Sequence, residues 1–181
     1  MKKNVLWITQ TAAMLALLVA LQAITKPLGQ LVTGSFVNAV LASTVLIAGI
    51  SSGVTVAVIS PVLAYLLGIA PQILTVPAIM VGNTVFVAVM YVAAGKDSKK
   101  LLRKVIAWAA AAAAKFVVLY AIVVRLICGV LSEGLLASGA LKEPMLKVLP
   151  ATFSWLQLAT ALIGGAVALL IAPMLRKALH K

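Results

Sequence analysis

Residues 105–130 form an apolar stretch long enough to cross a bilayer, yet this stretch contains two cations, Lys115 and Arg125. A transmembrane helix needs ~20 apolar residues at a rise of about 1.5 Å per residue. Lys115 would then lie roughly 15 Å from the helix start, near the middle of the membrane. Burying a cation there costs about 2.5–3.5 kcal/mol, so its side chain should face protein, water or an anionic ligand. Lys115 is therefore a candidate binding residue, with a purely structural pairing inside the protein as the alternative.

Arg125 would lie about 30 Å along the same helix, where its long stem could bring the guanidinium to the membrane interface. In a regular α-helix the two cations are roughly 80° apart, so they share a broad face. We predict that Arg125 joins Lys115 in one binding site; a role as an interface anchor is the alternative.

The composition excludes a soluble domain, because 64% of the 181 residues are hydrophobic and only 10% are charged. The net charge of +12 would suggest nucleic acid as the partner of a soluble protein. Here the cations cluster between apolar runs, which is the pattern of membrane topology. We therefore expect an integral membrane protein in a lipid bilayer, with no nucleic-acid partner.

The apolar runs predict an all-α integral membrane protein, a bundle of six transmembrane helices that forms a single membrane domain over residues 1–181. The helices are predicted at about 5–25, 36–50, 54–67, 77–94, 105–130 and 151–175. The first run is about 20 residues long, whereas a signal-peptide core has ~7–15, so we keep it as a helix.

Six spans place both termini on the same side of the membrane. Two cations near the N-terminus, five in residues 96–104 and three at the C-terminus fall on that side, against three on the other. Cytoplasmic loops carry the excess of Lys and Arg. Both termini are therefore predicted to be cytoplasmic, and the linkers 26–35, 68–76 and 131–150 to face outside.

The sequence offers no means of catalysis or ATP hydrolysis. The one histidine, His180, lies in a basic tail, and the one cysteine, Cys128, cannot form an intrachain disulfide or a thiolate cluster. The acidic residues Asp97, Glu133 and Glu143 fall in loops, so no carboxylate lies within a span. A phosphate-binding Gly-x-x-x-x-Gly-Lys-Ser/Thr loop is also absent. We expect no enzyme activity, no cofactor and no metal, so uphill transport would need energy from a partner.

Neutral polar side chains are found inside the predicted spans: Asn38, Ser43, Thr44, Ser60, Asn83, Thr84, Gln157 and Thr160. Such groups often join helices to one another at ~0.6 kcal/mol each, which is the alternative for any one of them. The amides Asn38, Asn83 and Gln157 all fall toward the predicted outer half. Together with Lys115 and Arg125 they predict an outward-facing site for a small, polar, anionic solute.

Small residues form a stripe along the first predicted helix. Ala12, Ala16 and Ala20 recur every four residues, which gives a nearly flat face where another backbone can approach closely. We interpret this face as a docking surface for another membrane protein, with packing inside the chain as the alternative.

Taken together, these features resemble the substrate-binding S components of energy-coupling factor transporters. The resemblance covers essentially the whole chain: six helices with cytoplasmic ends, the Ala-x-x-x-Ala first helix, a polar first outer loop, and two short segments. The segments are 27–38, PLGQLVTGSFVN, which includes Thr33 and Asn38, and 77–83, PAIMVGN, which ends at Asn83. They are similar to the corresponding elements of the vitamin-binding branch.

The resemblance implies a high-affinity binder of a vitamin or precursor in a bacterial plasma membrane. The first helix would dock on a membrane T component that is coupled to two cytoplasmic ATPases, and the binder would topple in the membrane to release its cargo. Asn83, Lys115, Arg125 and Gln157 would bind the substrate, with residues 29–35 and 68–76 as lids.

The predicted outer half offers few aromatic rings for stacking: Tyr65, Tyr120, Phe153 and Trp155. A small anionic compound, pantothenate- or nicotinate-like, is therefore expected rather than a large flat one. Two alternatives stay open. The chain could be an assembly subunit that packs other helices and has no ligand, or a self-sufficient oligomeric facilitator or channel.

Overall fold

The computed structural model describes residues 2–69, 72–95 and 101–179, with side chains between residues 4 and 175. Within these ranges the chain is almost entirely helical and has no strand. The helices are α1 (Lys2–Thr25), α2 (Gln30–Ala48), α3 (Ile50–Leu66), α4 (Val76–Ala94), α5 (Leu101–Leu119), α6 (Ser132–Ala137), α7 (Glu143–Phe153) and α8 (Trp155–Leu179). Short 3-10 turns at Lys26–Leu28 and Ile73–Thr75 precede α2 and α4, and a π-helical segment, Tyr120–Val130, continues α5. Asp97, His180 and three cations of the 96–104 cluster lie outside the described residues.

Five helical stretches are long and apolar enough to cross a membrane. They are Asn4–Leu28, Gln30–Ala48, Ile73–Ala94, Leu101–Val130 and Trp155–Leu175. The sixth apolar helix, α3, is shorter. The prediction of an all-helical chain is confirmed for the described residues, and the five long helices fit a multi-pass membrane protein.

The centre of the bundle is α2, which packs against α1, α3, α4 and α8. In its membrane-length stretch 56% of the residues are buried, whereas the corresponding value for α1 is 11%. The polar side chains of α2 therefore face other helices, and α1 lies at the edge with most of its surface uncovered.

Close contact between α2 and α8 depends on glycine. A Cβ atom at Gly164 of α8 would collide with the backbone oxygen of Ser35 and the backbone nitrogen of Ala39. A Cβ at Gly34 of α2 would lie 2.9 Å from the methyl group of Thr160. Small residues allow this approach of two backbones, and in lipid such packing is a main source of helix association.

Two parts of the chain differ from the sequence expectation because hydropathy detects only apolar runs. First, α2 begins at Gln30 rather than near residue 36, and one side of its polar first turns buries Thr33 and Gly34 while Gln30 stays exposed. Second, residues 131–150, expected as an outer linker, contain α6 and much of α7. Their apolar side chains pack in a second cluster, which includes Leu119, Val123, Leu141, Leu149 and Phe153.

The stretch predicted as one regular helix at 105–130 changes geometry at Tyr120. From there to Val130 it is a π-helix, in which a backbone N–H bonds to the carbonyl five residues earlier, as Leu131 does to Leu126 at 2.9 Å. Such segments are rare, and no residue type in this stretch predicts one. A wider turn changes the face on which later residues lie, so the angle expected between Lys115 and Arg125 does not apply.

A hydrogen bond between the hydroxyl groups of Thr11 and Ser52, with 2.8 Å between the two oxygens, joins α1 to α3, and both residues are buried. Replacing Ser52 with alanine removes this bond, and we expect the free energy of unfolding to fall by about 0.6 kcal/mol. Reversible denaturation in mixed detergent micelles measures the change. Thr55→Ala is the control, because Thr55 donates to the carbonyl of Ser51 within α3; an equal loss in both variants would contradict the expectation.

Candidate functional site

A cavity of about 140 Å³ lies at the end of the bundle away from the N-terminus. It is bounded by the C-terminal parts of α1, α3 and α5 and by the N-terminal parts of α2, α4 and α8. Its polar lining residues are Gln22, Lys26, Gln30, Thr33, Asn38, Ser60, Asn83, Lys115, Thr152 and Gln157. Lys26, Gly29 and Gln30 are exposed, so the cavity opens to solvent beside them.

Lys115 forms the inner wall of this cavity. Its side chain is only 3% exposed, and it lies at the middle of the apolar stretch Leu101–Val130. Its Nζ donates hydrogen bonds to Oδ1 of Asn38 at 2.6 Å and to Oδ1 of Asn83 at 2.7 Å. Hydrogen bonds to a charged group are the stronger ones in proteins. The ammonium is thus held between α2 and α4 by two neutral amides.

The aromatic ring of Phe86 adds to this environment, since Lys115 Nζ lies 5.6 Å from the ring centroid. A cation at this distance is attracted to the ring face. Phe86 is fully buried and does not line the cavity. The positive charge therefore gains a favourable neighbour that does not compete with a solute for space.

The amide of Asn38 is fully used within the protein. Its Oδ1 accepts from Lys115, while its Nδ2 donates to the carbonyl of Gly34 at 2.9 Å and to Oγ1 of Thr160 at 3.3 Å. An ammonium has donors and no acceptor, so the oxygen of each amide must face it. Asn38 consequently connects Lys115 to α8 and fixes where the ammonium lies.

The amide of Asn83 is only half used. Its oxygen accepts from Lys115, but Nδ2 is buried and has no hydrogen-bond partner among the described residues. Leaving a buried donor unpaired costs about 1–3 kcal/mol, and most such groups in native proteins are paired. Because Asn83 lines the cavity and is 1% exposed, an acceptor in the cavity is the natural partner for this nitrogen.

The electrostatic character of the cavity is positive. Lys26 and Lys115 both line it, and within the described part of the chain no carboxylate does. At the mouth, Lys26 Nζ donates to the carbonyl of Gly68 at 2.5 Å, which links the loops after α1 and α3. A cavity with two cations and no acidic group attracts anions.

Hydroxyl and amide groups complete the wall between mouth and base. Thr33 Oγ1 donates to the carbonyl of Thr25 at 2.8 Å, which leaves its oxygen able to accept. Gln157 Nε2 donates to the carbonyl of Thr152 at 3.3 Å, where α7 meets α8. These groups offer mixed hydrogen bonding to the uncharged part of a solute.

The structure brings five of the six predicted binding residues to one cavity: Thr33, Asn38, Asn83, Lys115 and Gln157. Arg125 is not among the lining residues, and its side chain is exposed in the π-helical segment. This position matches the interface-anchor alternative. Of the two predicted lids, residues 29–35 contribute several lining groups, and residues 68–76 contribute Ile69, with residues 70 and 71 outside the described chain.

Sequence reasoning missed Gln22, Lys26 and Thr152 as cavity residues, whereas Gln30 falls within the predicted lid 29–35. They lie at the ends of helices, where polar residues are expected anyway as interface or loop residues. The available signal was their shared location on the predicted outer side. Ala12, Ala16 and Ala20, in contrast, are exposed along α1 and do not pack inside the chain.

Comparison of the chain with protein-family models, with curated proteins and with solved structures gives no match.

Proposed function

We propose that this chain is the substrate-binding membrane subunit of an energy-coupling factor type importer in a bacterial plasma membrane. It captures a small, anionic, water-soluble vitamin or precursor from outside the cell. A membrane T component and two cytoplasmic ATPases deliver the solute inward. In this proposal the chain crosses the membrane six times, α3 being the shortest span, and both termini are cytoplasmic.

One observation carries the proposal: a buried ammonium at the base of an open cavity, paired with neutral amides. A lysine that only joined helices would be expected to find a carboxylate or fully paired amides. Lys115 has neither a carboxylate neighbour among the described residues nor a fully paired set of amides, because Asn83 Nδ2 has no partner there. An anion in the cavity would satisfy both groups.

The direction of the cavity supports uptake from outside. It opens at the helix ends opposite the N-terminus. With the N-terminus in the cytoplasm, as the distribution of cations favours, this opening faces the exterior. A solute would therefore reach Lys115 from the side on which nutrients arrive.

The exposed surface of α1 supports dependence on a partner. Ala12, Ala16 and Ala20 are uncovered, and small residues permit close packing with a second membrane protein. Docking on a T component through this face agrees with the resemblance in sequence.

Binding to the purified protein tests the proposal. Isothermal titration in detergent should detect binding of at least one compound from a panel of anionic vitamins and precursors that includes nicotinate and pantothenate. Copurified small molecules identified by mass spectrometry give an independent reading. Absence of binding and of any copurified anion would contradict the proposal. Copurification of other membrane helices without a solute would instead favour an assembly subunit.

A further inference from the structure

We infer that the inner end of the cavity recognises an ionised carboxylate and rejects the matching carboxamide, and that Asn83 decides between them. This inference rests on the proposed function, because it specifies the chemical group by which the anionic solute is held. Asn83 acts here as a specificity-determining residue that contacts the solute.

At the inner end of the cavity, Lys115 and Asn83 offer a solute hydrogen-bond donors only. Two N–H groups of Lys115 are used by Asn38 and Asn83, and within the described chain no acceptor takes the third. Asn83 adds its unpaired Nδ2, while its oxygen is occupied by Lys115. A solute group placed here meets an ammonium and an amide NH₂, with no acceptor offered by either residue.

This donor pattern cannot be reversed by rotating an amide. Turning Asn83 by 180° would place its NH₂ against the ammonium, where two donors would face each other. Asn38 is held in place by its bonds to Gly34 and Thr160, and its oxygen already accepts one N–H of Lys115. It therefore cannot also accept the N–H that Asn83 accepts. The orientation of both amides therefore follows from the presence of Lys115.

A carboxylate matches this pattern, since both of its oxygens accept and its charge balances that of Lys115. A carboxamide has the same size but offers one oxygen and one NH₂. Its NH₂ would face a donor, and Lys115 would keep an unbalanced charge. Sites built for a specific hydrogen bond discriminate strongly against analogues that leave it unmade. We expect the acid to bind at least about 30-fold more tightly than its amide.

The volume of the cavity limits the size of the solute near this end. Engineered cavities of about 150 Å³ accommodate benzene, and the cavity here is about 140 Å³. A monocarboxylate with one six-membered ring, or a short aliphatic acid, is therefore the appropriate probe. We compare nicotinate, benzoate and butyrate each with the corresponding amide. The two members of a pair then differ only in the terminal group.

Two measurements test the inference. In the wild-type protein, titration calorimetry should give an acid-to-amide affinity ratio of at least about 30 for the best-bound pair. In Asn83→Asp, one carboxylate oxygen still accepts from Lys115, and the other replaces the NH₂ donor with an acceptor. The acid should then lose at least about tenfold in affinity, and the amide should bind more tightly than the acid.

Asn4→Asp is the matched control, because it makes the same change of amide to carboxylate on exposed α1. This variant should keep the wild-type ratio. If the wild-type protein binds acid and amide equally, or if Asn83→Asp keeps its preference for the acid, the inference is overturned while the proposed function stands. If no acid and no amide binds, both fail. Should Asn83→Asp not fold, the wild-type ratio alone decides.

Discussion

Replacing Lys115 with methionine is expected to weaken binding of the anionic solute by at least about 30-fold. Methionine has a similar length but no charge and no donor. Truncating one partner of a buried, hydrogen-bonded charge pair typically costs about 2–5 kcal/mol, which corresponds to this loss. Titration calorimetry with the best-bound anion of the panel measures it. The protein should still fold, because removal of a buried charge offsets the two lost bonds to Asn38 and Asn83.

Lys147→Met is the matched control for this prediction. It removes the same charge from an exposed position on α7 that does not line the cavity. Binding should change by less than about twofold, apart from a weak dependence on ionic strength. Equal affinity in Lys115→Met and wild type would show that the lysine joins helices and does not meet the solute.

Replacing Gly164 with alanine is expected to lower the free energy of unfolding by about 3 kcal/mol. The added methyl group would collide with backbone atoms of Ser35 and Ala39, which cannot move as a flexible side chain would. The cost lies at the upper end of the usual range for overpacking because α8 must shift as a whole away from α2. Reversible denaturation in mixed micelles, followed by far-ultraviolet circular dichroism, measures the loss.

Gly134→Ala provides the control for overpacking. Gly134 lies in α6, and a Cβ there would have no neighbour within 4 Å. Alanine at an unobstructed helical position stabilises slightly, by up to about 1 kcal/mol. If Gly164→Ala were as stable as the wild type, the close approach of α2 and α8 would be wrong.

The shift of α8 in Gly164→Ala should also weaken solute binding, because Thr160 and Gln157 would move away from Asn38.

Much of the site could be predicted from the sequence because the membrane makes polar residues conspicuous. A lone lysine at the centre of a long apolar run has few places to point other than into the protein, and Lys115 does so. Amides within predicted spans follow the same reasoning, and Asn38 and Asn83 both contact that lysine. The apolar runs themselves located the long helices.

Other features depend on packing that periodicity does not report. Hydropathy predicts a loop at the polar first turns of α2, because their composition resembles that of a linker and the burial of Thr33 and Gly34 is a tertiary effect. Short amphipathic helices such as α7 bury one side only, so their mean hydropathy is low. Arg125 was placed by assuming regular α-helical turns, and the π-helical segment removes the basis for that assumption. The unpaired nitrogen of Asn83 can be recognised only once its oxygen is assigned to Lys115.

The two amides around Lys115 provide dipoles but no opposite charge. Without a solute, the Lys115 side chain is therefore buried among the helices with no counter-ion among the described residues. An anion that binds in the cavity forms an electroneutral pair with protonated Lys115. The fraction of protein that holds the anion and the resistance of the protein to denaturation should therefore rise together.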